Sequence, residues 1–370
     1  MLSSRPSLVY LLAALASVLF LITLFTQLHA PSWPVRPLTN APPFPLNTPP
    51  SPSLPSTSPA LTPLDPHLLA PLAEHLHQSA VSSRTLMLSE SGTRNFPDGY
   101  IFPYNVWDVV RPAYPCPHEV ERVGTLGDGG KWVCGMARYE ALFPPISSPS
   151  AGEKGGITRP GPPSASTTTT TTTTMIIYSF GVNDDSSFEA AVMARTNARV
   201  WGWDYSVEGW GPQIAEGGVG DRAKFEKAAI GKTDGEREGH TWKTVQGCMA
   251  ANGHGWVDLV KMDVEGAEFD ALGSLVEFVS QTWEESGDGV LPFGQLLVEI
   301  HLYTSKVDFG MPTTMKEFLD WWVDLEKMGL RPVWNEHNWI GDVMTGKPRY
   351  IEYTFINVRH PKNKPFLEKV

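Results

Sequence analysis

Cysteine is scarce in this chain, and its scarcity excludes two kinds of small domain. Cys116, Cys134 and Cys248 are the only cysteines in 370 residues, too few for a domain held together by a dense disulfide framework. No Cys-x-x-Cys pair or Cys/His spacing typical of zinc is present, and the sequence predicts no metal site. Cys116 and Cys134 flank a predicted hairpin, so in an oxidising compartment we expect these two to pair and to leave Cys248 free.

Clusters of basic residues are missing as well. The chain has 29 Lys and Arg against 40 Asp and Glu, a formal net charge of −11, and no long basic run. Proteins that bind nucleic acids usually present a basic face, so we expect no nucleic-acid partner.

Charge is absent altogether from residues 8–28, an apolar segment as long as a helix that crosses a bilayer core. Arg5 precedes this segment and no Lys or Arg follows until Arg36, a bias that places the amino terminus in the cytosol. The pattern predicts a cytosolic tail (1–7), an uncleaved transmembrane signal anchor and a luminal remainder, as in a single-pass type II protein of the Golgi or endoplasmic reticulum membrane. The alternative is a signal peptide cleaved near Ala30, which would make the protein secreted.

Low-complexity segments divide the rest of the chain. Residues 29–99 are rich in Pro, Ser and Thr, a composition typical of an extended stalk, with a weak helical pattern between Leu68 and Leu88. The folded domain is expected over residues 100–370. An insertion at 146–174, which ends in eight consecutive Thr, interrupts it.

Strand-like and helical patterns alternate within this domain. The strand-like runs are 175–180, 199–203, 225–230, 257–262, 295–300, 330–334 and 350–358, and the helical runs are 187–195, 267–280 and 315–328. Their alternation predicts an α/β domain with a largely parallel sheet and helices on both faces, in which the last two strands form an antiparallel pair. Asp128-Gly129-Gly130, between two short strand-like runs, predicts a β-hairpin before the sheet.

A dense group of charges follows one buried strand. The apolar run 257–260 gives way to Lys261, Asp263, Glu265 and Glu268. Packing alone does not explain four charges at the carboxyl end of a buried strand, which is the edge where open α/β sheets bind their ligands. Lys261 and Glu268 are better explained as ion pairs that brace the loop, and Asp263 is the functional candidate.

Two residues earlier in the chain fit a nucleotide-binding edge. Gly181 lies between the first strand of the sheet and its helix, where a glycine lets a ligand approach the backbone. A full Gly-x-Gly-x-x-Gly is absent, so a plain tight turn is the alternative. Asp204 ends the next strand 23 residues later, a spacing suited to ribose hydroxyls; a helix cap or a solvated strand end would explain it equally well.

The stretch Lys261–Glu268, Lys-Met-Asp-Val-Glu-Gly-Ala-Glu, resembles the Lys-x-Asp-x-Glu-Gly-x-Glu signature of FkbM-type S-adenosylmethionine-dependent methyltransferases. The hairpin 116–134, the run 178–181 and Glu299-Ile-His301 are similar to the eukaryotic methyltransferase-like branch of that group. The resemblance covers residues 114 to about 358, apart from the Thr-rich insertion. It implies a Rossmann-like class I methyltransferase fold with a seven-stranded sheet, and S-adenosyl-L-methionine as the cofactor.

The resemblance also implies a set of cofactor-binding residues. The positions that match are Gly181, Asn183, Asp204, Ala229 and Ile230, to which the hairpin loop adds Asp128 and Gly129. Ala229 and Ile230 would lie beside the adenine. The chain departs from the family pattern in two places, because Ser179 or Phe180 stands where many members have an acid, and Asp185 replaces a later glycine.

Transfer of a methyl group to an oxygen or nitrogen acceptor needs positioning, and benefits from a base that removes the acceptor's proton. The candidates for this base are Asp263, Glu265, His301 and Glu299, all expected at one edge of the sheet. Clustered carboxylates raise one another's pKa, which suits a base near neutral pH. The acceptor itself, whether glycan, protein or small molecule, is not identified by any motif.

Two other functions fit parts of the sequence. A cytosolic tail, single anchor, stem and luminal domain are also typical of metal-dependent glycosyltransferases, in which Asp263 and Glu265 would hold a nucleotide sugar through a divalent cation. A catalytically decayed scaffold would explain the missing first-strand acid and glycine. The context of Lys261–Glu268 favours methyl transfer.

Overall fold

A computed structural model of the chain describes residues 66–91, 96, 105–127, 129–145, 173–282, 289–302 and 310–368. The chain divides into two units, Met1–Thr62 and Pro63–Val370, and the second, which contains all the described residues, is compact. The first unit, with the predicted anchor at 8–28, lies outside the described residues, as does most of the predicted insertion. Among the described residues, no helix combines the length and apolar character needed to cross a membrane.

The described strands, in chain order, are β1 (Val120–Val123), β2 (Lys131–Cys134), β3 (Ile176–Phe180), β4 (Arg199–Trp203), β5 (Ala223–Glu226), β6 (Ala229–Ile230), β7 (Gly235–Arg237), β8 (His240–Lys243), β9 (Val257–Met262), β10 (Phe293–His301), β11 (Leu330–His337) and β12 (Tyr350–Asn357). The described α-helices are α1 (Pro66–Ser91), α2 (Met136–Leu142), α3 (Ser187–Arg195), α4 (Pro212–Glu216), α5 (Val245–Asn252), α6 (Glu268–Thr282), α7 (Met315–Lys327), α8 (Trp339–Thr345) and α9 (Lys364–Leu367). Short 3₁₀ helices occupy Val106–Val110, Gly220–Arg222 and Pro361–Asn363.

Seven strands form the central sheet, in the order β11-β12-β10-β9-β3-β4-β5. Neighbours from β10 to β5 pair in parallel, and β12 runs antiparallel to both β10 and β11. This mixed sheet confirms the Rossmann-like class I methyltransferase fold, including the antiparallel pair predicted for the last two strands.

Side chains of the central strands alternate between two hydrophobic clusters, one on each face of the sheet. Tyr178 of β3 packs in the same cluster as Leu272 of α6. Its neighbour Ile177 packs in the other cluster, with Val192 of α3. Helices therefore cover both faces of the sheet, as the sequence predicts.

Helix α7 shows how local sequence produces one of these covering elements. The hydroxyl of Thr314 accepts a hydrogen bond from the N–H of Glu317 at 3.1 Å, which caps the amino terminus. Phe318, Trp322 and Leu325 follow at helical spacing, and all three are buried against the sheet.

The predicted hairpin is present and is docked on the sheet. Strands β1 and β2 pair antiparallel, and the amide of Gln295 in β10 bonds both the N–H (2.9 Å) and the C=O (3.0 Å) of Cys134. A disulfide joins Cys116 to Cys134, and Cys248 is free and buried. Both cysteine predictions are therefore confirmed. The docking of β2 buries the side chain of Lys131 at the sheet edge.

The strand predicted over residues 225–230 is wrong as a single element. Strand β5 ends at Glu226, whose carboxylate accepts a hydrogen bond from the indole of Trp203 at 2.9 Å. The chain then leaves the central sheet, and Ala229 pairs with Trp242 in a separate three-stranded sheet. An apolar run reveals burial, but it does not reveal which neighbouring strand will provide the hydrogen bonds.

Helix α1 confirms the helical pattern between Leu68 and Leu88, but its role differs from that of a free stalk. Arg84 makes a two-pronged ion pair with Glu326 at 2.9 and 3.1 Å, with both side chains buried. Arg331 makes a similar two-pronged ion pair with the more exposed Glu74, at 2.9 and 3.0 Å. The folded domain therefore includes residues well before the predicted start at 100, because ion pairs between distant segments leave no trace in local composition.

Candidate active site

A cleft of about 830 Å³ opens at the carboxyl ends of β3, β4, β9 and β10. The residues that line it include ten site residues predicted from the sequence: Gly129, Gly181, Asn183, Asp204, Ala229, Ile230, Asp263, Glu265, Glu299 and His301. Asp128 was also predicted, but it lies outside the described residues. The structure thus brings the described candidates together in one cleft, while their individual roles stay predictions.

The turn after β3 is built around Gly181. Its φ is +76°, and a Cβ added there would lie 1.7 Å from the carbonyl oxygen of Asp263. Only glycine fits such a contact. Asn183 also has a positive φ, of 51°, which is unusual for a residue with a side chain. The turn and the acidic loop after β9 are therefore in direct contact.

Asp204 holds this turn from the side. One carboxylate oxygen accepts hydrogen bonds from the N–H groups of Val182 (2.8 Å) and Asn183 (2.9 Å). The other accepts from the N–H and the hydroxyl of Ser206, both at 2.7 Å. Four donors fill the usual capacity of a carboxylate. The structure thus shows a positioning role for Asp204, and the predicted contact with ribose stays a prediction.

One wall of the cleft is apolar. Ala229, Trp242 and Ala267 pack together as a small buried cluster, and each of them lines the cleft beside Ile230. An apolar wall of this kind can pack against a ring. The adenine position that the resemblance implies for Ala229 and Ile230 stays a prediction.

Lys131 is a site residue that the sequence did not reveal. Its side chain is fully buried, with Nζ 3.0 Å from Oδ2 of Asp263 and 3.9 Å from Oε2 of Glu299. A short hydrogen bond also joins it to Glu352. Burial alone would lower the pKa of Lys131, but the attraction of these carboxylates raises it well above its ordinary value. The available signal was a lysine on the inward side of a four-residue strand, which is too weak to interpret alone.

The carboxylates around Lys131 have pKa values that are shifted in opposite directions. Burial alone would raise the pKa of Asp263, but the charges of Lys131 and His301 hold it well below its ordinary value. Burial, together with the charges of Asp263 and Glu352, raises the pKa of Glu299 to about 8. The expectation that clustered carboxylates raise one another's pKa is therefore correct for Glu299 and wrong for Asp263, whose nearest neighbour is a cation.

His301 ends β10 and is held from behind. Its Nδ1 lies 3.0 Å from Oε1 of Glu268, and its Nε2 lies 3.9 Å from Asp263 and 3.8 Å from Glu265. Burial alone would lower the pKa of His301, but Glu268 and the other surrounding acids raise it to about 10. With this pKa the imidazole carries a proton at neutral pH and acts as a donor. Its predicted role as a base is not supported by this charge state.

Lys261 and Glu268 brace the loop, as the sequence predicts. Lys261 donates to the carbonyl of Gly181 at 2.7 Å and lies 3.5 Å from Glu189. Glu268 accepts hydrogen bonds from the N–H groups of Val264 (3.0 Å) and Gly266 (3.3 Å). Both side chains are buried. Lys261 fixes the glycine turn that contacts Asp263, and Glu268 fixes the backbone that follows Asp263.

Comparison with known proteins shows the family of the chain. Residues 97–339, more than half of the chain, match a family model described as a methyltransferase domain. No relative was found among curated proteins.

Several solved structures are similar to parts of the chain. One is a fibrillarin pre-rRNA processing protein from Methanococcus jannaschii, with 13% identity over 49% of this chain and 66% of that one, and a TM-score of 0.29. A second is fibrillarin from Aeropyrum pernix with natively bound S-adenosyl-L-methionine, with 14% identity over 49% and 66% of the two chains and a TM-score of 0.27. A third is StiE O-MT, with 12% identity over 52% and 71% and a TM-score of 0.30. Similarity at this level says nothing about the acceptor, but the match to the family model is decisive, and the chain belongs to this methyltransferase-domain family.

Proposed function

We propose that this protein transfers a methyl group from S-adenosyl-L-methionine to an oxygen or nitrogen acceptor in the lumen of the secretory pathway. The observation that carries the proposal is the contact between Gly181 and the carbonyl of Asp263. Because no side chain fits between them, the glycine turn and the acidic cluster form one continuous cleft. The sequence signature of Lys261–Glu268 further supports an FkbM-type enzyme.

The cleft fits this cofactor. Its volume of about 830 Å³ is within the usual range of roughly 300–1,000 Å³ for small-molecule sites. The apolar wall of Ala229 and Trp242 offers a surface for a ring, and the opposite side is acidic. The cofactor supplies a methyl group on a positively charged sulfonium, and the ionised carboxylate of Asp263 lies where such a charge is stabilised.

Side chains at the other end of the cleft would receive the acceptor. Asp263, Glu299 and His301 line this end, and Asn338 donates to Glu299 at 2.9 Å. The buried ammonium of Lys131 stabilises the ionised carboxylate of Asp263. Asp263, Glu265 and His301 remain the predicted catalytic set, and positioning of the acceptor against the methyl group supplies much of the rate.

The luminal location rests on two observations. The Cys116–Cys134 disulfide is typical of proteins that mature in an oxidising compartment. The apolar segment 8–28 predicts the membrane anchor that would retain the enzyme in the Golgi or endoplasmic reticulum.

Calorimetric titration of the full chain with S-adenosylhomocysteine, in the presence of EDTA, tests the proposed function. We expect binding without metal. Gly181→Ala should weaken the affinity by at least about tenfold, or 1.4 kcal/mol, because the new Cβ pushes the turn away from Asp263. Gly253→Ala is the matched control, since Gly253 also has a positive φ (+68°) but has open space around it and does not line the cleft.

The competing functions predict different titrations. Binding of a uridine diphosphate only when manganese is added, with no response to S-adenosylhomocysteine, would support the glycosyltransferase and exclude our proposal. No response to either ligand would support a scaffold.

A further inference from the structure

Asp263 lies between two groups of charged side chains, and the first of them is centred on a lysine. Its Oδ2 faces Lys131, which is surrounded by Asp263, Glu299 and Glu352. Its other oxygen, Oδ1, faces the Nε2 of His301 at 3.9 Å. The first group therefore already contains a cation, the ammonium of Lys131, at its centre.

In the described part of the chain, the second group has no Lys or Arg at its centre, and its positive charge is the exchangeable proton of His301. Oδ1 of Asp263, a carboxylate oxygen of Glu265 and Nε2 of His301 converge, with all three atoms within 4.8 Å of one another. Among the described residues, no Lys or Arg makes an ion pair with Glu265, whose side chain is 83% exposed at the mouth of the cleft. The group therefore presents two carboxylates and an imidazole to a shared space.

The orientation of His301 provides an independent observation. The ring is only 3% exposed, and its Nδ1 is engaged by the buried carboxylate of Glu268 at 3.0 Å. In the described part of the chain, Nε2 makes no hydrogen bond and points into the cleft. Histidines that bind metals characteristically donate their other ring N–H to a carboxylate in this way. Glu268 thus prepares Nε2 as a ligand.

We infer that Asp263, Glu265 and His301 form a binding site for one divalent cation. With two separations of 3.8 and 3.9 Å and a third of at most 4.8 Å, the three atoms surround a central point no more than about 2.5 Å from each, within the roughly 2.0–2.6 Å of Mg²⁺, Mn²⁺ or Ca²⁺ ligands. Two oxygens and one nitrogen, without a thiolate, favour these cations over soft metals. Binding would displace the proton on Nε2 of His301.

This site has a consequence for the acceptor, which rests on the proposed function. With three protein ligands, the cation keeps open positions that face the cleft. A metal held in this way would coordinate an acceptor hydroxyl and ease the loss of its proton to solvent. The oxygen would then take the methyl group as the S–CH3 bond breaks, and S-adenosylhomocysteine would leave. The site therefore favours an oxygen acceptor, such as a sugar hydroxyl, over a nitrogen acceptor.

Titration of the EDTA-stripped full chain with manganese chloride tests the site. The electron paramagnetic resonance signal of free Mn²⁺ should reveal one bound ion per chain, which Mg²⁺ or Ca²⁺ displaces. Glu265→Gln should weaken Mn²⁺ binding by at least about tenfold. The exposed position of Glu265 makes this change compatible with folding, and circular dichroism verifies it.

Asp184→Asn is the matched control, because Asp184 also lines the cleft but lies outside the converging group. It should retain the Mn²⁺ affinity of the wild type, whereas His301→Gln should lose it. Absence of stoichiometric binding, or equal affinity in Glu265→Gln and the wild type, would overturn the inference. Binding of S-adenosylhomocysteine in EDTA is measured separately, so failure of the metal site and failure of the proposed function are distinguished.

Discussion

Replacement of Lys131 by methionine should destabilise the whole domain. Methionine has a similar length but no charge, so Asp263, Glu299 and Glu352 lose the cation that they share. Removal of one partner from a buried ion pair costs about 3–5 kcal/mol, because the remaining charge is left uncompensated. At about 2–4 °C per kcal/mol for a domain of this size, the melting temperature should fall by roughly 6–20 °C.

The loss of stability caused by Lys131→Met should grow with pH in EDTA-treated protein. Burial and the neighbouring acids already raise the folded-state pKa of Glu299 to about 8 in the wild type, and loss of Lys131 removes an attraction that opposes this rise. A carboxyl with a raised folded-state pKa contributes stability that is complete below its unfolded-state pKa and is lost as pH rises through the folded-state value. Lys131→Met should therefore differ from the wild type less at about pH 5.5 than at about pH 8.5.

Urea unfolding followed by tryptophan fluorescence measures the effect, since the chain has 13 Trp. Glu352→Gln added to Lys131→Met should recover at least about 1 kcal/mol in a double-mutant cycle, because it removes one uncompensated charge. Lys316→Met is the control, since Lys316 pairs with Asp320 on the exposed face of α7 and exposed pairs contribute little. A Lys131→Met protein as stable as the wild type at the higher pH would refute the role assigned to this lysine.

Three further predictions concern other parts of the molecule. Burial raises the pKa of the Cys248 thiol to about 12, so a thiol reagent should find no reactive thiol in the native chain. In denaturant without reductant it should find one, and more than one would contradict the Cys116–Cys134 disulfide. Asp204→Asn places an amide donor where the carboxylate now accepts hydrogen bonds, and it should lower the free energy of unfolding by about 1–3 kcal/mol. It should also weaken the binding of S-adenosylhomocysteine, measured by calorimetry. Wild-type values for both quantities would contradict the positioning role of Asp204. Arg84→Met should leave the buried carboxylate of Glu326 without its guanidinium partner and lower stability by about 3–5 kcal/mol in urea, whereas a free stalk would show no effect.

Strands and helices of the central sheet could be predicted because their signal is local. An alternation such as that of Ile177 and Tyr178 depends on neighbours in sequence, and so does the helical spacing of Phe318 and Trp322. Convergence of Gly181 with Asp263 followed from one further rule, that carboxyl ends of parallel strands meet at one edge.

The role of Lys131 could not be predicted, because it depends on how the hairpin docks. Gln295 of β10 fixes the hairpin through Cys134, and only this docking brings Lys131 between Asp263 and Glu352. The charge of the loop was visible in the sequence, but the direction of each pKa shift depends on where the cation lies. For the same reason the sequence could not bring His301 to the Asp263 and Glu265 pair, since His301 and Glu265 are 36 positions apart (301 − 265) and meet only in the folded sheet.

The disulfide of the hairpin links chemical maturation to the electrostatics of the cleft. Cys134 is the last residue of the four-residue strand that begins with Lys131, and its bond to Cys116 closes a segment with a separation of 18 residues. Closing a segment of this length removes about 3 kcal/mol of chain entropy from the unfolded state. Oxidation of the two cysteines therefore stabilises the hairpin that carries the buried ammonium. Oxidative folding and assembly of the acidic cleft are coupled steps, and a chain kept in a reducing environment would hold its charged centre less firmly.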